Sequence, residues 1–152
     1  MATLFPRDDN YVLKLNCLFP IEDKDGLIIS NAVTFAAATT GATGAHTLFT
    51  ISGPCIVKVI GVCSADLTGS GTVEVGLTGN TAVLIAQTTG TTIDKGEFWI
   101  DNSPAVYETD FTGKLIATDI IETIGTDTIT AGTITYYCYW RPMSPTSTCA
   151  AA

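Results

Sequence analysis

The feature that most constrains this chain is a succession of short apolar runs, rich in Thr, Val and Ile and separated by glycine turns, between Thr47 and Arg141. Such runs are typical of β-strands, because strands favour β-branched residues and glycine allows tight turns between them. No amphipathic helix pattern competes with them. The predicted strands are 27–35, 46–52, 55–63, 72–77, 82–87, 97–101, 114–124 and 129–141. This spacing predicts an all-β fold: a single antiparallel β-sandwich, jelly-roll-like, of about eight strands.

The composition of the sequence divides the chain into three parts. Residues 1–20 are predicted to form an extended N-terminal arm, 21–142 the β-sandwich domain, and 143–152 a flexible C-terminal tail. Within the domain, the small residues of 36–44 are typical of a flexible linker. The arm contains apolar side chains that could anchor it on a partner, namely Phe5, Tyr11, Leu13 and Phe19.

The strands differ in how many of their faces are apolar. Residues 72–77 alternate cleanly, which predicts one buried and one wet face. Residues 55–63 are apolar on both faces. The last strand is apolar on both faces too, and its Tyr137 and Tyr139 lie on the face that points away from the core. Strands that are apolar on both faces in a small sandwich predict contact with other subunits.

Charge and composition exclude several classes of partner. Only 14% of the residues are charged, against roughly 25% in an ordinary soluble domain. The net charge of −8 disfavours binding to nucleic acid or to anionic membranes. The N-terminal sequence lacks the basic and apolar regions of a secretory signal, and no apolar run is long enough for a membrane helix. We therefore expect synthesis in the cytoplasm.

Residues that could bind a metal or a cofactor are scarce. His46 is the only histidine, so no site with several histidines can form. The five cysteines lack the close spacing of a metal site. Cys55 and Cys63 would lie about 26 Å apart on one strand, too far for a disulfide, and Cys149 is expected to be exposed in the tail. We predict no metal, no cofactor and no phosphate-binding loop.

The densest group of carboxylates is Asp94, Glu97 and Asp101. Glu97 and Asp101 would share a strand face with Trp99, an arrangement that suits a sugar platform with two acids. The favoured interpretation is an acidic edge strand that the charges keep soluble. We therefore predict that the protein is not an enzyme and has no catalytic residues.

A series of short phrases follows in a fixed order along the chain. The phrases are Thr47–Pro54 (TLFTISGP), Val57–Val62 (VKVIGV), Val73–Asn80 (VEVGLTGN), Leu84–Gln87 (LIAQ), Glu97–Asp101 (EFWID), Pro104–Ala105, Asp119–Ile121 (DII) and Tyr136–Pro142 (YYCYWRP). In these phrases the sequence resembles a poorly characterised family of small virion proteins from tailed phages. The resemblance spans about residues 45–142 and lies in the order of phrases rather than in a catalytic motif.

The resemblance implies a β-sandwich protein of the decoration or cement type on the capsid surface of the virion. Its implied partners are the major capsid protein and copies of itself, for instance in a homotrimer. The arm and the tail lie outside the resemblance. The residues expected at the partner interface are Phe5, Tyr11, Leu13, Phe19, Trp99, Tyr137 and Tyr139.

Two other functions remain open at this stage. One is a tail, neck or host-recognition module that binds glycan through Trp99 or through Tyr137 and Tyr139. The other is a hydrolase that uses the carboxylates of Glu97 and Asp101, which would need to converge in a pocket.

Overall fold

The computed structural model of this chain describes residues 28–106 and 113–152. Over these residues the chain forms two five-stranded antiparallel sheets that pack against each other, which confirms the all-β sandwich. A single 3₁₀ turn at Gly90–Thr92 is the only helical element in these ranges. None of the described residues belongs to a helix long and apolar enough to cross a membrane.

The described residues form ten strands. They are β1 (Ile28–Thr34), β2 (Gly44–Ser52), β3 (Cys55–Thr68), β4 (Thr72–Leu77), β5 (Asn80–Thr89), β6 (Phe98–Trp99), β7 (Lys114–Ile116), β8 (Ile120–Gly125), β9 (Ala131–Pro142) and β10 (Thr148–Ala151). Sheet I has the spatial order β1, β9, β3, β6, with β7 also pairing with β3, and sheet II has the order β10, β2, β8, β4, β5.

The pairing between strands is nested, as in a jelly roll. The first strand pairs with β9, the second with β8, the third with β6 and β7, and β4 pairs with β5. Eight strands paired from the outside inwards and divided between two sheets form the two Greek keys of that fold. The strands β6 and β7 together take one of the eight positions, and β10 is an addition to the pattern.

Two predicted strands are shorter than the sequence pattern suggests. The segment 97–101 is extended only at Phe98–Trp99, and the segment 114–124 divides into β7 in sheet I and β8 in sheet II. The chain crosses between the sheets just before β8. There the Asp119 carboxylate accepts a hydrogen bond from the Ile51 amide at 2.8 Å. The apolar pattern continued through this crossover, so it could not reveal the break.

The prediction of a flexible tail at 143–152 is wrong. Residues Thr148–Ala151 form β10, which pairs with the edge of β2 and so extends sheet II. The Ser147 hydroxyl donates to the Pro54 carbonyl at 2.8 Å and fixes the turn before the strand. The physical reason is the open edge of β2, whose backbone groups gain partners from any strand that can reach them.

The small residues of 36–44 form a defined loop rather than a flexible linker. The Gly41 amide donates to Ala36 at 2.8 Å, and the Ile129 amide donates to the Gly41 carbonyl at 2.9 Å. A Cβ atom at Gly41 would lie 1.8 Å from the Ile129 oxygen. Glycine is therefore required here because two backbone segments approach closely.

The core lies between the inner faces of the two sheets. Both sheets contribute β-branched and aromatic side chains from alternate positions of their strands. The largest side chains that are fully buried include Trp99, Tyr136, Phe49, Leu48, Ile85, Ile93, Ile120, Ile124, Ile129 and Ile134.

The position of β10 predicts that the last residues stabilise the domain. We expect a chain that ends at Ser147 to lose about 1–3 kcal/mol in free energy of unfolding, because it loses edge hydrogen bonds and the packing of Cys149 against the core. Urea unfolding of both chains would measure this difference. An unchanged midpoint would mean that β10 contributes nothing to stability.

Candidate functional site

The outer surfaces of the two sheets differ in polarity. The strands β2, β4 and β8 of sheet II place mainly small and hydroxyl-bearing side chains on the outer surface, such as Thr47, Thr50, Thr72 and Thr123. Ile121, opposite Thr47, also lies on this side but is only 8% exposed. Sheet I instead presents apolar side chains to the outside. We call this surface the outer apolar face; its apolar members are Ile28, Ile56, Ile60, Val62, Phe98, Leu115, Tyr137 and Tyr139.

The strand register makes the outer apolar face continuous. Residues that are directly opposite on paired strands point to the same side of a sheet, so each row below crosses neighbouring strands. The rows are Ile28–Tyr139–Lys58, Ser30–Tyr137–Ile60, Ala32–Thr135–Val62–Phe98 and Arg141–Ile56–Leu115.

Several members of this face are far more exposed than is usual for apolar side chains. Leu115 is 67% exposed and Ile28 is 55% exposed. Contiguous exposed apolar surface on a soluble domain marks a binding surface, since single apolar residues are common but patches are not. The outer apolar face is therefore the candidate functional site.

The charged residues in the rows of the outer apolar face are Lys58 and Arg141, although the whole chain has a net charge of −8. Both side chains already interact with other groups of the chain. Within the five strands of sheet I the one carboxylate is Asp66, near the far end of β3, where it accepts a hydrogen bond from the Lys95 amide at 2.6 Å. The face therefore offers a partner mainly its apolar side chains.

The structure places two of the predicted interface residues, Tyr137 and Tyr139, on this face, and it buries a third, Trp99, in the core. Tyr137 and Tyr139 lie on the outer apolar face, Tyr137 half-buried and Tyr139 exposed. Trp99 has no exposed surface, so its prediction as an interface residue or a sugar platform is wrong. The four arm residues Phe5, Tyr11, Leu13 and Phe19 lie outside the described residues.

The indole of Trp99 belongs instead to a polar group inside the core. Its Nε1–H donates to Thr88 Oγ1 at 2.9 Å, and its ring lies 6.2 Å from that of Tyr136, tilted by 59°. An indole is buried without penalty when its N–H has such a partner. The strand Phe98–Trp99 has only two residues, so the sequence pattern could not show which of the two side chains faces the core.

A buried carboxylate lies next to this group and was not predicted. The Tyr136 hydroxyl donates to Glu122 Oε2 across the two sheets, and Glu122 has no exposed surface. Oε1 of Glu122 has no hydrogen-bond partner among the described residues. Burial raises the pKa of Glu122 to about 7, and the hydrogen bond from Tyr136 opposes part of this rise. The available signal was a lone Glu at a core position of β8, between Ile120 and Ile124.

The two carboxylates of the hydrolase hypothesis, Glu97 and Asp101, accept hydrogen bonds in local turns. Glu97 Oε2 accepts from the Asp94 amide at 3.0 Å, and Asp101 Oδ1 accepts from the Ser103 amide at 2.6 Å. Asp101 also lines a depression of about 270 Å³ between β3 and β5, together with Lys58 and Lys114. Glu97 and Asp94 do not line this depression, so among the described residues it has one carboxylate, where glycoside hydrolysis uses two.

Metal-binding groups do not converge in the part of the chain that the structure describes. No cluster of three His, Cys, Asp or Glu side chains that could hold a metal ion occurs there. The His46 ring nitrogen Nε2 lies 2.9 Å from the Ala42 carbonyl, a local contact within its own loop. The four described cysteines are free thiols.

Comparisons of this chain with protein-family models, with curated proteins and with solved structures found no match. The site is therefore defined by its geometry and chemistry alone.

The pKa of Glu122 predicts a specific pH dependence of stability. A carboxyl group whose pKa is raised on folding favours the folded state below its unfolded pKa of 4.5, and this stabilisation is lost as the pH rises to about 7. We expect the free energy of unfolding of the native chain to fall by up to about 3 kcal/mol over this range. Glu122→Gln should flatten this dependence.

The measurement is urea unfolding at a series of pH values between these limits. Glu74→Gln on the wet face of β4 is the matched control and should keep the native slope. Equal slopes in Glu122→Gln and in the native chain would show that Glu122 is not the group that titrates.

Proposed function

We propose that this protein is a structural component of a tailed-phage virion, which binds the assembled capsid shell and stabilises it as a decoration or cement protein. The observation that supports this most is the outer apolar face, which is adjacent to the strand where the N-terminal arm joins the domain. A rigid β-body, an apolar contact surface and an extended segment are what such a protein needs. The phrase-level resemblance described above supports the same function.

The stabilisation would be thermodynamic. A protein that binds the assembled shell but not its separated subunits shifts the equilibrium towards the shell by mass action. Burying one exposed side chain such as Leu115 contributes about 1.5–3 kcal/mol before the cost of association. Several such side chains on one rigid sheet lose little conformational freedom on binding, which favours affinity.

The proposed contact surface on the shell belongs to the major capsid protein. The rows of the outer apolar face consist mainly of apolar side chains, so an apolar surface of the capsid protein is the complement. Copies of this chain would meet around a symmetry axis of the shell, as in a homotrimer. The protein would be made in the host cytoplasm and reside on the capsid surface.

The N-terminal arm would supply a second contact. The 27 residues before Ile28 could reach up to about 90 Å when fully extended, which is enough to pass over a neighbouring subunit. Phe5, Tyr11, Leu13 and Phe19 are the proposed anchors. Two linked contacts bind more tightly than either alone, because the first raises the effective concentration of the second.

Leu115→Glu tests the outer apolar face. It places a charge at the most exposed apolar position of the face, so binding to shells that lack the protein should weaken at least tenfold, the equivalent of about 1.4 kcal/mol. Thr47→Glu on the outer surface of sheet II introduces the same charge and should bind like the native chain. Co-sedimentation with purified heads measures the affinity. Equal binding of both variants would exclude this face as the contact.

Deletion of residues 1–20 tests the arm. We expect the shortened chain to fold, since the body has its own core, and to occupy shells to a smaller fraction than the native chain at equal concentration. Cryo-EM of the decorated particles measures occupancy and shows the symmetry axis directly. Full occupancy by the shortened chain would contradict a role of the arm, and native protein found only on tails would contradict the proposed function.

A further inference from the structure

Two cysteines from different sheets face each other at the end of the core. Cys138 lies on β9, opposite Ile29 and Val59, and has no exposed surface. Cys149 lies on β10, opposite Ile51, and packs against the core while remaining half-buried. Since Ile51 and Val59 are both core residues, the register alone directs the two thiols into the space between the sheets.

The Cys138 thiol, whose Sγ donates a hydrogen bond to the Tyr139 carbonyl at 3.9 Å, is a close neighbour of Cys149. Hydrogen bonding to Cys138 lowers the pKa of Cys149, whereas Cys149 and burial raise the pKa of Cys138. Burial raises the pKa of Cys63 to about 11, and burial together with the nearby Cys149 raises the pKa of Cys55. Cys149 therefore combines partial exposure with a stabilised thiolate, which are the properties of a reactive cysteine.

We propose that Cys138 and Cys149 are a redox pair, which forms a disulfide between the two sheets when the protein meets a small-molecule disulfide such as oxidised glutathione. The bond would join the C-terminal strand β10 covalently to β9. This inference is independent of the proposed function, because it rests only on the placement of the two thiols.

The reaction proceeds by two thiol–disulfide exchanges. The Cys149 thiolate attacks one sulfur of glutathione disulfide, whose S–S bond breaks, and the first glutathione leaves as a thiolate that takes up a proton. Cys138 then loses its proton and attacks the Cys149 sulfur, expelling the second glutathione. Two protein thiols are oxidised to one disulfide, and one glutathione disulfide is reduced to two glutathione thiols.

The disulfide would act as a lock on the last strand. Without it, β10 is held by its ladder with β2, by the bond from the Ala152 amide to the Leu48 carbonyl at 3.1 Å, and by a bond from the Asn31 side-chain amide to the Ala152 carbonyl at 3.4 Å. A link between positions 138 and 149 restricts the unfolded chain and prevents β10 from separating. We expect the melting temperature to rise by roughly 5–10 °C.

The test uses the full chain, incubated with glutathione disulfide, alkylated and digested with trypsin. Cys138 and Cys149 fall in one tryptic peptide, 115–152, because the Arg141–Pro142 bond is not cut, whereas Cys55 falls in 25–58 and Cys63 in 59–95. The proposal predicts that peptide 115–152 escapes alkylation and is lighter by two hydrogens. The melting temperature should rise in parallel, and dithiothreitol should reverse both changes.

Variants separate the pair from its neighbours. Cys149→Ser and Cys149→Ala should both abolish the loss of hydrogens and the rise in melting temperature. Cys55→Ala is the matched control and should keep both. A link from peptide 115–152 to peptide 25–58 or to a second copy of itself, a persistent glutathione adduct, or unchanged masses would overturn the pairing. A disulfide that leaves the melting temperature unchanged would overturn the lock.

Discussion

The pairing of β3 with β9 is the contact on which the rest of this structure depends. The ladder runs from Cys55 opposite Pro142 to Thr68 opposite Ala131, and it lies at the centre of sheet I. Because side chains alternate along a strand, one register sends one row of each strand into the core and the other row outside. The core row of β9 includes Tyr136 and Cys138, so the buried polar group and the thiol pair depend on this register as much as the outer apolar face does.

Burying the carboxyl group of Glu122 costs free energy, and the fold tolerates this cost because apolar burial fixes the register of β8. A shift of β8 by one residue would release Glu122 to solvent, but it would also expose Ile120 and Ile124, which are fully or almost fully buried. Because Ile121 and Thr123 would turn inwards, the core would then hold one isoleucine of β8 in place of two, and the Tyr136 hydroxyl would lose the carboxyl that accepts its hydrogen bond. The register of sheet II is therefore fixed by apolar burial, and Glu122 titrates within it.

The sequence was sufficient for features that depend on local pattern. The period of two and the turn glycines predicted the sandwich, and the two-sided apolar strands predicted that Tyr137 and Tyr139 face outwards. It was insufficient where a distant partner decides the outcome. The strand Thr148–Ala151 exists because the edge of β2 is open, and Trp99 is buried because Thr88 provides a partner for its N–H. Neither the edge nor the partner is visible in the neighbouring residues.

The edge strands of the two sheets are where the ends of the described chain contribute to the fold. A jelly roll with two open sheets has four edge strands, and each exposed edge can accept a further strand. The edge of β2 is covered by β10, which the proposed disulfide would link covalently to β9. The edge formed by β1 has no partner strand among the described residues, and it is the point from which the N-terminal arm departs. Under the proposed function, a partner could therefore add a strand to β1 while its apolar surface covers the outer apolar face, so that backbone hydrogen bonds set the orientation and apolar burial supplies the affinity.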